Sequence, residues 1–249
     1  MTAVKLNPAV RTVLLDIEGT TTPIDFVYKV LFPYATARVA EFLRQHISSP
    51  DVRSDVTALR ADHAQDVGAG LRPPAWRDDT PDAELASVAA YLEWLTAQDR
   101  KSTPLKSIQG KIWETGYKSG ELRSQVFDDV PRALNRWHEE KKSICIFSSG
   151  SVLAQKLLFT HTTAGDLTPY ISQYFDTTTG SKTKAQSYKT IAEALRRQPS
   201  EIVFISDVVA ELDAAKLAGL QTLLCERPGN RPQPENDYRA IDSFDDVFP

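Results

Sequence analysis

The chain has 249 residues, with 29 Lys and Arg against 33 Asp and Glu, a formal net charge of −4 and 41% hydrophobic residues. That length fits one large domain or two smaller ones at roughly 100–200 residues each, and the composition excludes wholesale disorder. The basic residues are too scattered for the footprint of a nucleic-acid binder, and no apolar run approaches the roughly 18 residues of a membrane-spanning helix.

In chain order, the polar stretch Met1–Asn7 leads straight into a strand, with no apolar region and cleavage site of a secretory leader. The first predicted strand is Thr12–Asp16 (TVLLD). Helical apolar spacing follows over Tyr28–Arg44, Ser54–His63, Pro81–Thr96 and Lys106–Ser119, punctuated by breaks at Gly68–Pro74 and Thr103–Pro104. Further strands are predicted at Ser143–Ser148 (SICIFS), Glu201–Asp207 (EIVFISD) and Gln221–Cys225 (QTLLC). A weaker extended piece lies around Tyr174–Thr177, with an amphipathic helix near Gln186–Leu195. Arg227–Asp237 is a polar, Pro-rich loop.

The strands are nearly continuous in apolar residues, as strands buried on both faces are. The expected class is therefore α/β, a Rossmann-like parallel sheet covered by helices. A parallel crossover needs only about a dozen residues, yet more than a hundred separate Thr20 from Lys142. Residues 22–130 are accordingly expected to be a helical insertion over the end of the first strand, with 1–21 and 131–249 forming the α/β core. Cys145 and Cys225 both lie in apolar runs, which suits buried thiols in a reducing compartment.

Ligands of open parallel sheets bind beyond the carboxyl ends of the strands, so those ends carry the candidate residues. The first strand ends in Asp16-Ile17-Glu18-Gly19-Thr20-Thr21, a tight turn carrying two carboxylates. One carboxylate of such a pair can act as nucleophile while the other moves protons; alone, the motif is equally a turn with a helix cap. The second strand ends in Ser148-Ser149-Gly150-Ser151, hydroxyls and backbone N–H groups that can cradle an anion or merely cap a helix. The third ends in Asp207 with Glu211 four residues on, suited to a hard divalent cation or, again, to capping. Lys182 by itself is an ordinary surface lysine, with Lys184 its close competitor.

Other chemistries lack support. Gly110-Lys111 has Leu105 where a P-loop has its first glycine and Ile112 where it has Ser or Thr. No CxxC or HxxxH spacing offers zinc ligands. His46, His63, His138 and His161 fit surface or helix-end positions. Trp76, Trp94, Trp113 and Trp137 fit helix packing, with Trp113 also a candidate pocket residue.

The order Asp, Ser, Lys, Asp at successive strand ends resembles the four motifs of the haloacid dehalogenase superfamily. More narrowly, DIEGTTTPIDFVYKVLFPYA (Asp16–Ala35) and LKSIQGKIWETGYKSGEL (Leu105–Leu122) resemble the enolase-phosphatase (acireductone synthase) family of methionine salvage. IFSSGSVLAQKLLF (Ile146–Phe159), GSKTKAQSYKTIA (Gly180–Ala192) and EIVFISDVVAELDAAKLAGLQT (Glu201–Thr222) carry the superfamily resemblance. Glu18 stands where most of the superfamily has Asp. Ser181 replaces the His or Pro frequent in relatives, and Cys225–Asp237 is Pro-rich and unfamiliar against that pattern; neither removes a motif residue.

The resemblance implies a sheet of the haloacid dehalogenase type with a helical cap, acting on 2,3-diketo-5-methylthio-1-phosphopentane. Enolisation would come first, then hydrolysis of the enol phosphate to an acireductone and phosphate. Asp16 would be the nucleophile and Glu18 the acid and base. Ser148, Ser149 and Lys182 would hold the phosphoryl group, and Mg2+ would sit on Asp16, Asp207 and the main-chain carbonyl of Glu18. A monomer with a small phosphorylated substrate is expected, in the cytoplasm and also the nucleus, binding neither nucleic acid nor membrane. A generic capped phosphatase shares all four motifs and is separated only by Glu18 and the insertion sequences. A silent scaffold predicts a broken motif, and a dehalogenase needs neither the acid at position 18 nor Asp207.

Overall fold

The computed structural model describes residues 6–98, 100 and 102–248. Of the stretch Met1–Asn7, residues 1–5 lie outside them. The chain forms two compact units, one from residues 1–27 and 123–249 and the other from 28–122. The expected insertion over 22–130 is wider than the second unit. Phe127 N–H donates to the Thr21 carbonyl at 3.0 Å, and Val130 packs in the core of the first unit, so the flanks of the insertion belong there.

Elements run in the order β1 (Thr12–Leu15), α1 (Ile24–Phe26), a π-helical turn (Val27–Leu31), α2 (Phe32–His46), α3 (Pro50–Gly68), α4 (Pro81–Ala97) and α5 (Thr103–Ser119). There follow α6 (Asp129–Glu139), β2 (Ser143–Phe147), α7 (Val152–Thr160), β3 (Gln173–Phe175), α8 (Ala185–Leu195), β4 (Ile202–Ser206), α9 (Val209–Leu217), β5 (Gln221–Cys225) and β6 (Ala240–Ile241).

The first unit is a parallel sheet in the order β3-β2-β1-β4-β5-β6. Side chains alternate between its two faces because the strand period is two, and both faces are apolar. Val13, Leu15, Ile144, Ile146, Val203 and Ile205 join Val130, Leu134 and Trp137 of α6 on one side. Leu14, Cys145, Phe147 and Phe204 join Tyr188 and Ile191 of α8 and Leu212 and Ala215 of α9 on the other. Burying such side chains gains roughly 1.5–3 kcal/mol each before conformational entropy is counted, which explains near-continuous apolar strands. β6 has two residues and no apolar run, so the sequence carried no signal for it.

The second unit is helical. Each of its four helices α2–α5 carries Pro in the first turn, where the missing N–H costs nothing. Thr80 and Ser102 cap α4 and α5 by accepting from Ala83 and Leu105 N–H. Gly116 of α5 lies against the Tyr34 phenol of α2, where any Cβ would collide. Trp113 is buried here, its indole N–H donating to the Leu31 carbonyl at 2.9 Å. Among the described residues no helix is long and apolar enough to cross a membrane.

Candidate active site

The site residues of the first unit gather where β1, β2 and β4 end. Asp16 follows β1, its N–H continuing the ladder to the Ile205 carbonyl at 3.0 Å, and its residue is 2% exposed. Four residues on, the backbone has already turned: the N–H groups of Thr20, Thr21 and Thr22 all point at the Ile17 carbonyl, and Gly19 N–H donates to the Thr22 carbonyl. Gly19 sits at φ +74°, a left-handed conformation that disfavours other residues. A Cβ there would collide with the Asp207 carboxylate, so the glycine is also what lets the β1 turn approach Asp207.

Lys182 reaches this point from the loop between β3 and α8. Its Nζ lies 2.5 Å from Asp16 Oδ1 and 2.6 Å from Glu211 Oε2, with the side chain 8% exposed. Its Nζ lies about as far from the Phe147 ring (6.0 Å) as from the Phe204 ring (5.9 Å), and the Tyr188 hydroxyl donates to its main-chain carbonyl at 2.7 Å. Burial by itself would lower the Lys182 pKa, but the carboxylates of Asp16 and Glu211 outweigh it and raise it, so the ammonium stays charged. Lys184 is exposed at the N-terminal end of α8. The geometry therefore separates the two lysines that the sequence left open.

Glu211, which the four-residue spacing pairs with Asp207 as a candidate cation ligand, lies against Lys182. It is turned onto Lys182 and accepts from the Ser206 hydroxyl at 2.9 Å. Burial, moderated by Lys182 and reinforced by Asp16, pushes its carboxyl up to about 7. Asp207 is likewise pushed up to about 7, by burial and then by the Asp16 charge. The capping alternative for Asp207 does not hold, since Val208 occupies the N-cap of α9.

Ser148 is buried at the end of β2, its N–H donating to the Phe175 carbonyl at 3.2 Å and its hydroxyl accepting from Gly150 N–H at 3.1 Å. Ser149 is half-buried. The cap of α7 is Ser151, accepting from Ala154 N–H, which leaves Ser148 and Ser149 outside the capping role.

Sequence reasoning missed the loop after β5. Asn230 Nδ2 donates to the Gly19 carbonyl at 2.9 Å and to the Cys225 carbonyl at 3.0 Å, and Gln233 Oε1 accepts from Val209 N–H at the start of α9. The only available signal was an Asn after Pro-Gly, indistinguishable from an ordinary turn residue.

A divalent cation fits these residues. Asp16 and Asp207 are two buried carboxylates, and the Asp16 charge adds to the cost of ionising Asp207, a cost that a cation would offset. Among the described residues no three His, Cys, Asp or Glu side chains come together as metal ligands. That donor set suits magnesium, which takes one or two carboxylates and keeps waters and substrate phosphate, and it does not suit zinc.

The fold and the strand-end residues define a hydrolase class, and the model of the haloacid dehalogenase-like hydrolases matches residues 10–219, so the chain belongs to that family. Within it the chain belongs with the enolase-phosphatases. It is 51% identical to the Enolase-phosphatase E1 of Synechococcus elongatus over 97% of this chain and 99% of that one. It is 46% identical to that of Sorangium cellulosum over 96% and 97%. The crystal structure of the UTR4 protein of Saccharomyces cerevisiae superposes with a TM-score of 0.76 at 36% identity, covering 95% of this chain and 99% of that one.

Proposed function

We propose that this chain is a bifunctional enolase-phosphatase of methionine salvage, converting 2,3-diketo-5-methylthio-1-phosphopentane to 1,2-dihydroxy-3-keto-5-methylthiopentene and phosphate. The observation that carries the chemistry is the buried Asp16–Lys182 pair at 2.5 Å, beside Asp207. A generic capped phosphatase shares that pair, and the near full-length similarity to enolase-phosphatases favours the narrower reading.

Enolisation comes first: Glu18 takes the proton from the carbon skeleton and passes it to the neighbouring carbonyl oxygen, which leaves the enol phosphate, and Glu18 takes up a solvent proton before the next step. Asp16 then attacks phosphorus: an aspartyl O–P bond forms, the P–O bond to the enol breaks, and Glu18 protonates the departing oxygen. Water deprotonated by Glu18 attacks the aspartyl-phosphate, releasing phosphate and restoring Asp16. The extra methylene of Glu18, relative to Asp, lets one carboxyl serve both half-reactions. Ser148, Ser149 and Lys182 hold the phosphoryl oxygens, and Glu211 keeps Lys182 aimed and charged. Asp16, Asp207 and the Glu18 carbonyl would hold Mg2+, which would supply charge neutralisation for the phosphate.

Selection beyond the phosphoryl group is assigned to residues of the helical unit 28–122. Every named site residue comes from one chain, so the reading needs no second copy. Two free, buried thiols, pushed up to about 12 by burial, suit a reducing cytoplasm.

The test follows phosphate release and acireductone absorbance together on the diketo-phosphate. Asp16→Asn keeps the shape but is a poor nucleophile, so phosphate release should fall to background while an enol phosphate accumulates in the phosphorus NMR spectrum. Near wild-type phosphate release would remove Asp16 as nucleophile.

A further inference from the structure

Asn230 stands outside the chemistry just described, yet its amide reaches the turn that carries it. The β5 strand ends at Cys225, and the chain folds back through Arg227–Asn230, with Asn230 N–H donating to the Arg227 carbonyl at 3.1 Å. Both Nδ2 hydrogens are engaged, one on Gly19 and one on Cys225, across 211 residues of sequence in the first case. Oδ1 is buried and accepts no hydrogen bond. The opposite amide orientation would set Oδ1 against two carbonyl oxygens, so the two bonds fix which way the side chain faces.

Gly19 is thereby tethered on both sides. Its N–H is held by the Thr22 carbonyl and its carbonyl by Asn230, at a φ of +74°. A Cβ placed on Gly19 would meet Asp207 Oδ2 and, at 2.8 Å, Asn230 Oδ1, so Asn230 and Asp207 flank the same atom of the turn.

We propose that Asn230 is a positioning residue for the reaction: by clamping the Gly19 carbonyl it fixes Gly19 against Asp207 and sets the orientation of Glu18 and its main-chain carbonyl. The inference rests on the roles assigned above to Glu18 and Asp207. Groups that orient the donors of a metal site cost about 10–100-fold in metal affinity or activity when removed. The loop that carries Asn230 is polar and Pro-rich, and in this role it supports the turn that carries Asp16 and Glu18.

The experiment compares wild type, Asn230→Ala and a control, Asn236→Ala, whose lost bond to the Pro234 carbonyl is local to the loop. Thermal stability is followed through a magnesium chloride titration, and kcat and KM are measured on the diketo-phosphate. In Asn230→Ala the magnesium midpoint of the thermal shift should rise about 10-fold or more and kcat should fall by about 10–100-fold, with KM unchanged. Asn236→Ala should match wild type in all three. A lower Tm with unchanged midpoint and unchanged kcat would make Asn230 a loop clip only and overturn the proposal. A wild-type protein indifferent to magnesium would overturn the cation reading together with this inference, whereas a responsive wild type matched by Asn230→Ala overturns this inference alone. Asn230→Ser, which keeps one donor, carries the same comparison if Asn230→Ala does not fold.

Discussion

At Lys182 a single ammonium answers two carboxylates in a water-poor setting, and this arrangement decides how its loss would read out. Lys182→Ala leaves Asp16 and Glu211 facing each other without a cation and removes an electrostatic donor to the transferring phosphoryl group, worth about 10²–10³ in turnover at comparable sites. Lys184→Ala touches an exposed side chain and should keep near wild-type turnover, which a parallel phosphate-release assay checks. The carboxylates make a second, pH-dependent prediction. Asp207 and Glu211 titrate near pH 7 in the fold, above the values of about 4 expected in the unfolded chain. Between those values the folded state holds more protons, so these groups lose the metal-free protein stability as pH rises from about 4 to about 7. A cation relieves that repulsion only where the acids are ionised. Magnesium chloride should therefore raise Tm more at pH 8 than at pH 5.5 in a thermal-shift assay; equal increments would contradict the shared carboxylate site. Asp16 and Asp207 were legible because they follow strands that apolar runs announce, whereas Lys182, an ordinary lysine by itself, was singled out only by its place in the order Asp, Ser, Lys, Asp. Asn230 was not, because its partner Gly19 is brought to it only by tertiary folding.

Among the elements, α6 shows how a buried ion pair ties a helix to the C-terminal segment. Asp129 Oδ2 accepts from Arg227 Nη2 at 2.8 Å and from Phe244 N–H at 2.5 Å, with side chains 9% and 4% exposed for Asp129 and Arg227. The guanidinium lies 4.6 Å from the Phe127 ring centroid and 4.8 Å from that of Phe244, and donates to the Asp242 carbonyl. Asp129→Ala strands that guanidinium without its counter-charge, and breaking a buried pair in this way costs about 3–5 kcal/mol. Urea denaturation should show a loss of that size; a change under about 1 kcal/mol would place the pair with solvent-screened surface bridges. None of this was readable from the sequence, where Arg227–Asp237 is only polar and Pro-rich. Hydrophobic periodicity announces which face of an element is buried, whereas a polar loop held by side-chain bonds has no period. The same limit explains β6 and the π-helical turn, each too short for a pattern. Helices α2–α5 and α8 and strands β1, β2, β4 and β5 were legible, with ends displaced by a few residues.

Across the molecule, the helical unit is one continuous stretch of chain while the α/β unit is interrupted by it. The interruption itself was visible as an overlong crossover, but its edges were not, since residues 123–130 contact the sheet unit through bonds such as Phe127 to Thr21. The sheet order has a further consequence for how the protein is made. β1 stands in the interior of the sheet, between β2 and β4, and all four of its residues are buried. Its first neighbour is encoded only at Ser143, so at 5–20 residues per second the ribosome leaves TVLL without a strand on either edge for roughly 6–25 s. The nascent chain thus carries an apolar, aggregation-prone segment through the whole synthesis of the insertion, a window in which a holding chaperone has the most to shield.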